Sequence, residues 1–416
     1  MPIDEIKNVA FIGAGTMGSF NSMIAALAGY DVTVYDVSEE ALRNIPARQE
    51  EWGAVLVERW GTDPASIEAA LRRTRLTADP AEAVEQADLV SESVFERLDL
   101  KRETHSRFEG LCPADTIITT NTSTILLSEI ESAIEDGTKF AAMHYHQPGI
   151  LVDLVAGPRT SSRTMDILKR YVKSCGMTYV VLKKERAGYL HNAMFAALIS
   201  SGMVLAAMGL DFRDVDRSWM LNQGSEVGPF GMLDHVGLNV PLDILEEAVD
   251  DSGVSKERDE LTGMLRAHVD KGDLGAKTGR GFYTYPDPEF SLPEFLEAGE
   301  ENRDASRFMV NGVLAAAMSL VAGGYGDIRD VDRSWMLTHS PEIGPFGMID
   351  QKGLDVMLSE LEQMPVLDES LLQERADTIA FLKAYVDREH LGVKAGEGFY
   401  SYPAPAFSSP AFLMND

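Results

Sequence analysis

At 416 residues the chain is too long for one ordinary core, so two or three domains are expected. Hydrophobic residues make up 45% and charged residues 25%, a soluble globular balance, and no window approaches 18 uninterrupted apolar residues, so no membrane partner is expected. The formal net charge of −29 argues against a nucleic-acid partner, because phosphate binding needs a basic surface. It reads as a well-solvated acidic surface or, more sharply, as adaptation to high salt. The opening "MPIDEIKNVAFIG" lacks a basic n-region and a cleavable apolar segment, and Cys112 and Cys175 show no paired spacing. No secretory signal, disulfide framework or metal site is expected, and the expected location is the cytoplasm.

From the N-terminus, short apolar strands alternate with helices. The first strand is expected at 9–13, a helix at 16–28 and the second strand at 32–36. Their junction reads "FIGAGTMG", which supplies Gly13, Gly15 and Gly18 in the G-x-G-x-x-G pattern after a strand and at the opening of a helix. Gly13 permits the tight turn, Gly15 lets the backbone approach a pyrophosphate, and Gly18 lets the helix pack on the sheet. The second strand, "VTVYD", ends in Asp36, about 20 residues on, where an acid accepts the ribose hydroxyls and repels a 2′-phosphate, so the cofactor expected is NAD.

Further strands are expected at 87–92, 116–119, 140–144, 151–155 and 178–182, with helices at 40–59, 66–73, 98–110 and 162–174 between most of them. This rhythm predicts a mostly parallel sheet covered on both faces. Two segments lie past the cofactor half, where ligands sit in such sheets: "TNTSTILLSEI" follows a strand and "MHYHQP" ends another. A serine hydroxyl and an imidazole placed there can handle the proton of an alcohol while hydride moves to a nicotinamide.

After "LKKERAG" the pattern becomes helical, beginning with an apolar stretch at 189–208. A repeat then appears. "RDVDRSWML" occurs at Arg213 and again at Arg329; "GPFGMLDHVGL" at Gly228 returns as "GPFGMIDQKGL" at Gly344; "KTGRGFYTYP" at Lys277 returns as "KAGEGFYSYP" at Lys394. Two copies of one helical unit of roughly 115 residues are expected, joined by the Pro- and Glu-rich stretch 286–304.

Taken together, the fingerprint at Gly13, "SESVFERLDLKRE", "NTST", "HYHQP", "LVDLVAGPRT", "RAGYLHN", "GPFGMLDHVGL" and "KTGRGFY" resemble the 3-hydroxyacyl-CoA dehydrogenase family over nearly the whole chain. The resemblance implies an α/β Rossmann-like NAD-binding domain at 1–184, followed by two tandem all-α domains of that family's C-terminal type at 185–296 and 297–416. It implies that Ser123 hydrogen-bonds the substrate oxygen, that His144 is the catalytic histidine, and that Asn192 orients substrate and histidine. Glu96 and Lys101 match positions beside the cofactor, and Thr16, Met17 and Asn121 join Gly13, Gly15, Gly18 and Asp36 as cofactor-binding positions. The family pairs its histidine with a glutamate; here "LVDLVAGPRT" offers Asp153 instead, after a loop about three residues shorter than is usual in the family. His146 and His191 fall where the family has no catalytic histidine and are expected to line or pack.

The expected activity is reversible NAD-dependent oxidation of a 3-hydroxyacyl substrate, with His144 as base. The alternative is a dehydrogenase for a non-CoA hydroxy acid or keto ester, as in the gulonate dehydrogenase and diketoreductase branch that "LKKERAGY" also resembles; a crystallin-like or NAD-sensing protein is a third reading. The partner is a small molecule, and one active site per chain is expected. The second helical copy would stand where a partner subunit's copy stands in the family, an internal pseudo-dimer that leaves a monomer or a weak homodimer.

Overall fold

The run Asn8–Ile12 forms the central strand β1, with four of its five residues buried. In this computed structural model, which describes residues 3–147, 149–247, 256–339, 341–363 and 371–415, seven more strands join it: β2 (Asp31–Tyr35), β3 (Thr74–Thr77), β4 (Leu89–Glu92), β5 (Ile117–Thr120), β6 (Phe140–Tyr145), β7 (Leu151–Ala156) and β8 (Thr178–Leu182). Their order in one sheet is β3-β2-β1-β4-β5-β6-β7-β8. All neighbours are parallel except β6 and β7. The order reverses between β1 and β4, the switch point at which such sheets hold a dinucleotide. The strands read from the sequence are present within one or two residues. The unforeseen one is β3, whose "TRLT" is mostly exposed and carries no apolar run.

The chain divides into two compact units. The first comprises Met1–His191, Leu320–Ser340 and Ser401–Asp416. Its core gathers Phe11, Phe20, Met23, Tyr30, Val32, Val34, Leu154, Leu168 and Tyr171 between the sheet and the helices Thr16–Leu27 and Ser162–Ser174. The second comprises Asn192–Ser319 and Pro341–Tyr400. The expected boundaries at 184/185 and 296/297 rest on the sequence pattern, whereas packing splits the second helical copy between the two units. Its helix Ile328–His339 lies against β7 and β8, and Asn415 near the C-terminus accepts from Tyr179 N (2.7 Å) and donates to Tyr179 O (3.0 Å). An edge strand leaves unpaired backbone groups that need a cover, and at β8 the second copy supplies it.

Within the second unit the repeat has a structural reading. Gly228 and Gly344 each precede a helix that opens on proline, Pro229–Val236 and Pro345–Lys352. Buried Asp216, from "RDVD", accepts from the backbone N–H groups of Phe230 (2.8 Å) and Gly231 (2.9 Å) and so satisfies the first of these helix starts. Asp234 and Asp350 accept in matching fashion from Phe282 and Tyr283, and from Phe399 and Tyr400. A Cβ on Gly228 would stand 2.4 Å from Asp216 Cα, so no larger residue fits there.

The helices His191–Ala207 and Arg303–Ala322 open the two copies. A Cβ on Gly312 would lie 2.4 Å from Ser201 Oγ, so the two helices approach closely at that glycine. The second of them is the longer, 20 residues against 17, although it is shorter beyond the matching asparagine. By length and composition Arg303–Ala322 would pass as a membrane span, yet half of that window is buried, with Met309, Val313, Leu314 and Ala317 fully enclosed. The stretch 286–304 expected to join the two copies is itself packed: Phe290 and Phe295 are buried, and Pro293–Glu297 is helical.

Candidate active site

The cofactor end is built by the first two strands. Gly13 adopts φ +110°, and a Cβ there would meet Ser93 O at 2.6 Å; a Cβ on Gly18 would overlap Gly13 O at 1.8 Å. A Cβ on Gly15, by contrast, would find nothing within 4 Å, so that backbone faces open space. The helix Thr16–Leu27 begins there with no side-chain cap and no acid in its first turn, so the N–H groups around Thr16 and Met17 are free of protein anions. Exposed amides with a positive dipole end suit a pyrophosphate. Asp36 closes β2, accepting from Ala14 N and Ser38 N, both at 2.8 Å, which fixes the carboxylate beside the glycine turn. These residues fit NAD.

Glu96 and Lys101 share one network of ion pairs and hydrogen bonds. Lys101 is 1% exposed, with Nζ 2.8 Å from Glu92 Oε1 and 3.3 Å from Glu96. Glu92 also accepts from Val94 N (2.7 Å), from the Thr120 hydroxyl (2.7 Å) and from His105 Nε2 (3.0 Å). Burial pushes the Glu92 carboxyl up, but Lys101 and His105 outweigh it and hold it at about 2. Glu96 in turn accepts from Thr122 Oγ1 (2.6 Å), Ser123 N (2.8 Å) and Thr124 N (2.9 Å). The pair Glu96–Lys101 therefore moulds the loop that carries Ser123. The sequence did not single out Glu92, the hub of this network, though its signal was an acid at the end of a fully buried strand. Asn121 accepts from Tyr145 N (2.9 Å) and so ties that same loop to β6.

Strand register creates the acid–base group. In the antiparallel β6–β7 pair His144 stands directly opposite Asp153. His144 Nδ1 lies 3.1 Å from Asp153 Oδ2. Asp153 is fully buried, and its other oxygen has no partner among the described residues. With Nδ1–H donating to the carboxylate, the His144 ring presents its Nε2 lone pair outward, the form a base needs. Burial, and then His146, press the His144 pKa below its ordinary value, while Asp153 and Glu96 pull it up. Burial raises the Asp153 carboxyl, but the two histidines overcome it and hold it far below the usual carboxylate range.

Further residues of the same compact unit lie beside this group: His146, Tyr189, His191 and His339. His146, expected only to line or pack, places Nε2 2.7 Å from the same Asp153 Oδ2. Residues i and i+2 of a strand share a face, so "HYH" carried this signal. Tyr189, held at φ +46°, sets its ring 5.3 Å from that of His144 while its hydroxyl donates to Thr122 O at 2.8 Å. It links the histidine to the Ser123 loop, and Gly188 N donates to Ser123 O (2.8 Å) beside it. A left-handed backbone at a bulky residue is strained and marks a constrained position. His191 Nε2 lies 3.1 Å from Nε2 of His339, a residue of the second helical copy. Asn192 follows as the second residue of the helix His191–Ala207 and is counted with the other compact unit.

Comparisons with known proteins identify the family. Residues 8–186 match the 3-hydroxyacyl-CoA dehydrogenase NAD binding domain, and the C-terminal domain of the same family matches twice, at 188–285 and 306–402. A probable 3-hydroxybutyryl-CoA dehydrogenase of Bacillus subtilis is 30% identical over 285 residues, covering 68% of this chain and 98% of that protein. A solved diketoreductase, described as acting on dicarbonyl compounds, is 33% identical with a TM-score of 0.60, over 68% of this chain and all of that one. The 3-hydroxybutyryl-CoA dehydrogenase of Escherichia coli K12 shares the fold over 92% of this chain and 99% of its own, with a TM-score of 0.74 at 20% identity. With its nucleotide-binding half and both helical copies matched, the chain belongs to the 3-hydroxyacyl-CoA dehydrogenase family and is an NAD-dependent oxidoreductase.

Proposed function

We propose that this protein interconverts a 3-hydroxyacyl substrate and its 3-oxo form, with His144 as the general base. The observation that carries the reading is the His144–Asp153 pair, register-matched across β6 and β7 and linked through Tyr189 to the Ser123 loop. Bound NAD supplies the hydride acceptor. His144 Nε2 takes the hydroxyl proton during oxidation and returns it during reduction. Asp153 keeps Nδ1 protonated and stabilises the imidazolium as it forms. Ser123 hydrogen-bonds the reacting oxygen, on a loop that Glu96 holds by its backbone amides. Asn192 orients the substrate.

A second reading, a non-CoA hydroxy acid or keto ester as substrate, is favoured by one observation. CoA phosphates need cations, and the helix Glu39–Trp60 carries three arginines, no lysine and several glutamates. Of its arginines, Arg43 pairs with Glu39 (3.4 Å) and Arg48 donates to Ala14 O (2.8 Å). Both are engaged within the protein. NADH oxidation measured with acetoacetyl-CoA, free acetoacetate and a diketo ester separates the readings. Turnover of acetoacetyl-CoA supports the first; turnover confined to the free compounds replaces it with the second.

A further inference from the structure

The Asp153 carboxylate serves two imidazoles, not one. His144 Nδ1 and His146 Nε2 both point at Oδ2, at 3.1 and 2.7 Å, and the shorter contact belongs to the histidine with no assigned role. The two rings meet edge to face at 4.6 Å. An anion shared between two N–H donors gives each less than it would give one alone.

His146 is itself held from behind. Its ring meets that of His191 edge to face at 4.9 Å, and His191 Nε2 faces His339 Nε2 at 3.1 Å. Two facing imidazole nitrogens make a hydrogen bond only when one carries the proton and the other a lone pair. His339 rests on Trp335, with ring centroids 4.0 Å apart. Burial and the nearby His146 push its pKa down to about 4, consistent with a neutral ring. His339 ends the helix Ile328–His339, and its counterpart in the first copy is Gln223. The second copy thus differs from the first at a position where it reaches this cluster.

Accepting His144 as the base, we propose that His146 is a positioning residue which divides Asp153 with it and thereby sets its proton affinity, and that the second helical copy, through His339 and His191, holds His146 in register. The groups facing His144 are Asp153 from β7, His146 from its own chain segment, Glu96 from the loop after β4 and Tyr189 from the segment before the helix His191–Ala207. Of these His146 alone competes for the carboxylate. The second copy on this account supplies a member of the catalytic network as well as cover for the sheet.

The test is the pH profile of kcat/KM for NAD-dependent alcohol oxidation, where activity rises as His144 loses its proton. His146→Phe leaves Asp153 to His144 alone, so the apparent pKa of that rise should move up by about half to one unit. His146→Gln can place an amide N–H near the Nε2–H position and should restore the profile. His339→Phe should shift it in the same direction by less, with His339→Gln restoring it. The double phenylalanine variant should shift no further than His146→Phe, since both act through one contact. If His146→Phe fails to fold, His146→Asn, too short to reach Oδ2, takes its place with the same expected shift. Profiles that superimpose on the wild type, or activity lost equally at every pH, overturn the proposal. His144→Ala distinguishes the two layers: if it keeps full rate, the base reading itself fails; if it is inactive while the His146 variants leave the profile unmoved, only the sharing of Asp153 fails.

Discussion

Asp153→Asn tests charge rather than shape. Asp153 Oδ2 accepts from both histidines, while Oδ1 has no partner among the described residues. An asparagine can keep its carbonyl oxygen in the Oδ2 place and put its amide where Oδ1 stood. Both N–H donors then still find an acceptor, and the variant should fold, at a cost of about 1–3 kcal/mol for the newly buried amide. What is lost is the negative charge beside His144 at the moment the ring becomes an imidazolium. Two unit charges ~4 Å apart at an effective dielectric of about 20 interact by about 4 kcal/mol, which is roughly 10³ in rate. Charge spreading over the ring and sharing with His146 reduce this, so kcat should fall by about 10²–10³. NADH affinity, read by fluorescence titration, should be unchanged because the cofactor residues lie on other strands. Should Asp153→Asn keep full activity across pH, Asp153 has no catalytic part and the reasoning from register to chemistry is wrong.

Other outcomes follow from the same geometry. His144→Ala should lower kcat by about 10²–10⁴ with NADH binding little changed. Asp36→Ala removes the acceptor that orders Ala14 N and Ser38 N, so it should weaken NAD binding and relax discrimination against NADP; a wild-type preference for NADPH would contradict the role given to Asp36. Lys101→Met leaves Glu92 buried without its cation and should cost about 3–5 kcal/mol in denaturant unfolding, far more than the loss of a surface lysine. Acid should unfold the protein through its depressed carboxylates. Glu92 and Asp153 have folded pKa values below their ordinary 4.5 and 3.8, so their contribution is complete above those values and is lost as pH falls below them. Thermal melts from pH 7 to pH 3 should show that loss, and Asp153→Asn should flatten part of it. Deleting residues 300–416 uncovers β7 and β8 and removes His339, so the product should be insoluble or inactive, and a soluble, fully active fragment would refute the part given to the second copy.

The nucleotide-binding half was legible in the sequence because its signals are local. A glycine turn between strand and helix, an acid at the end of β2 and the alternation of apolar runs each lie within a short window, and the glycine at 13 has the positive φ that the motif requires. The helical repeat was legible for a similar reason: Asp216 and the "GPFG" glycine sit one turn-and-helix apart, and the contact they make explains why both recur. His144 and Asp153 could be named as partners, but only by resemblance. What the tertiary structure decided depends on residues far apart in the chain. The antiparallel register of β6 and β7 fixes which side chains face each other, and a slip of one residue would have turned Asp153 to the other face. His146 gained its role only when β7 was laid beside it. His339 lies 148 residues from His191, and no periodicity in either segment marks the other; they meet because the exposed edge of the sheet had to be covered, and the second helical copy is the part of the chain that covers it.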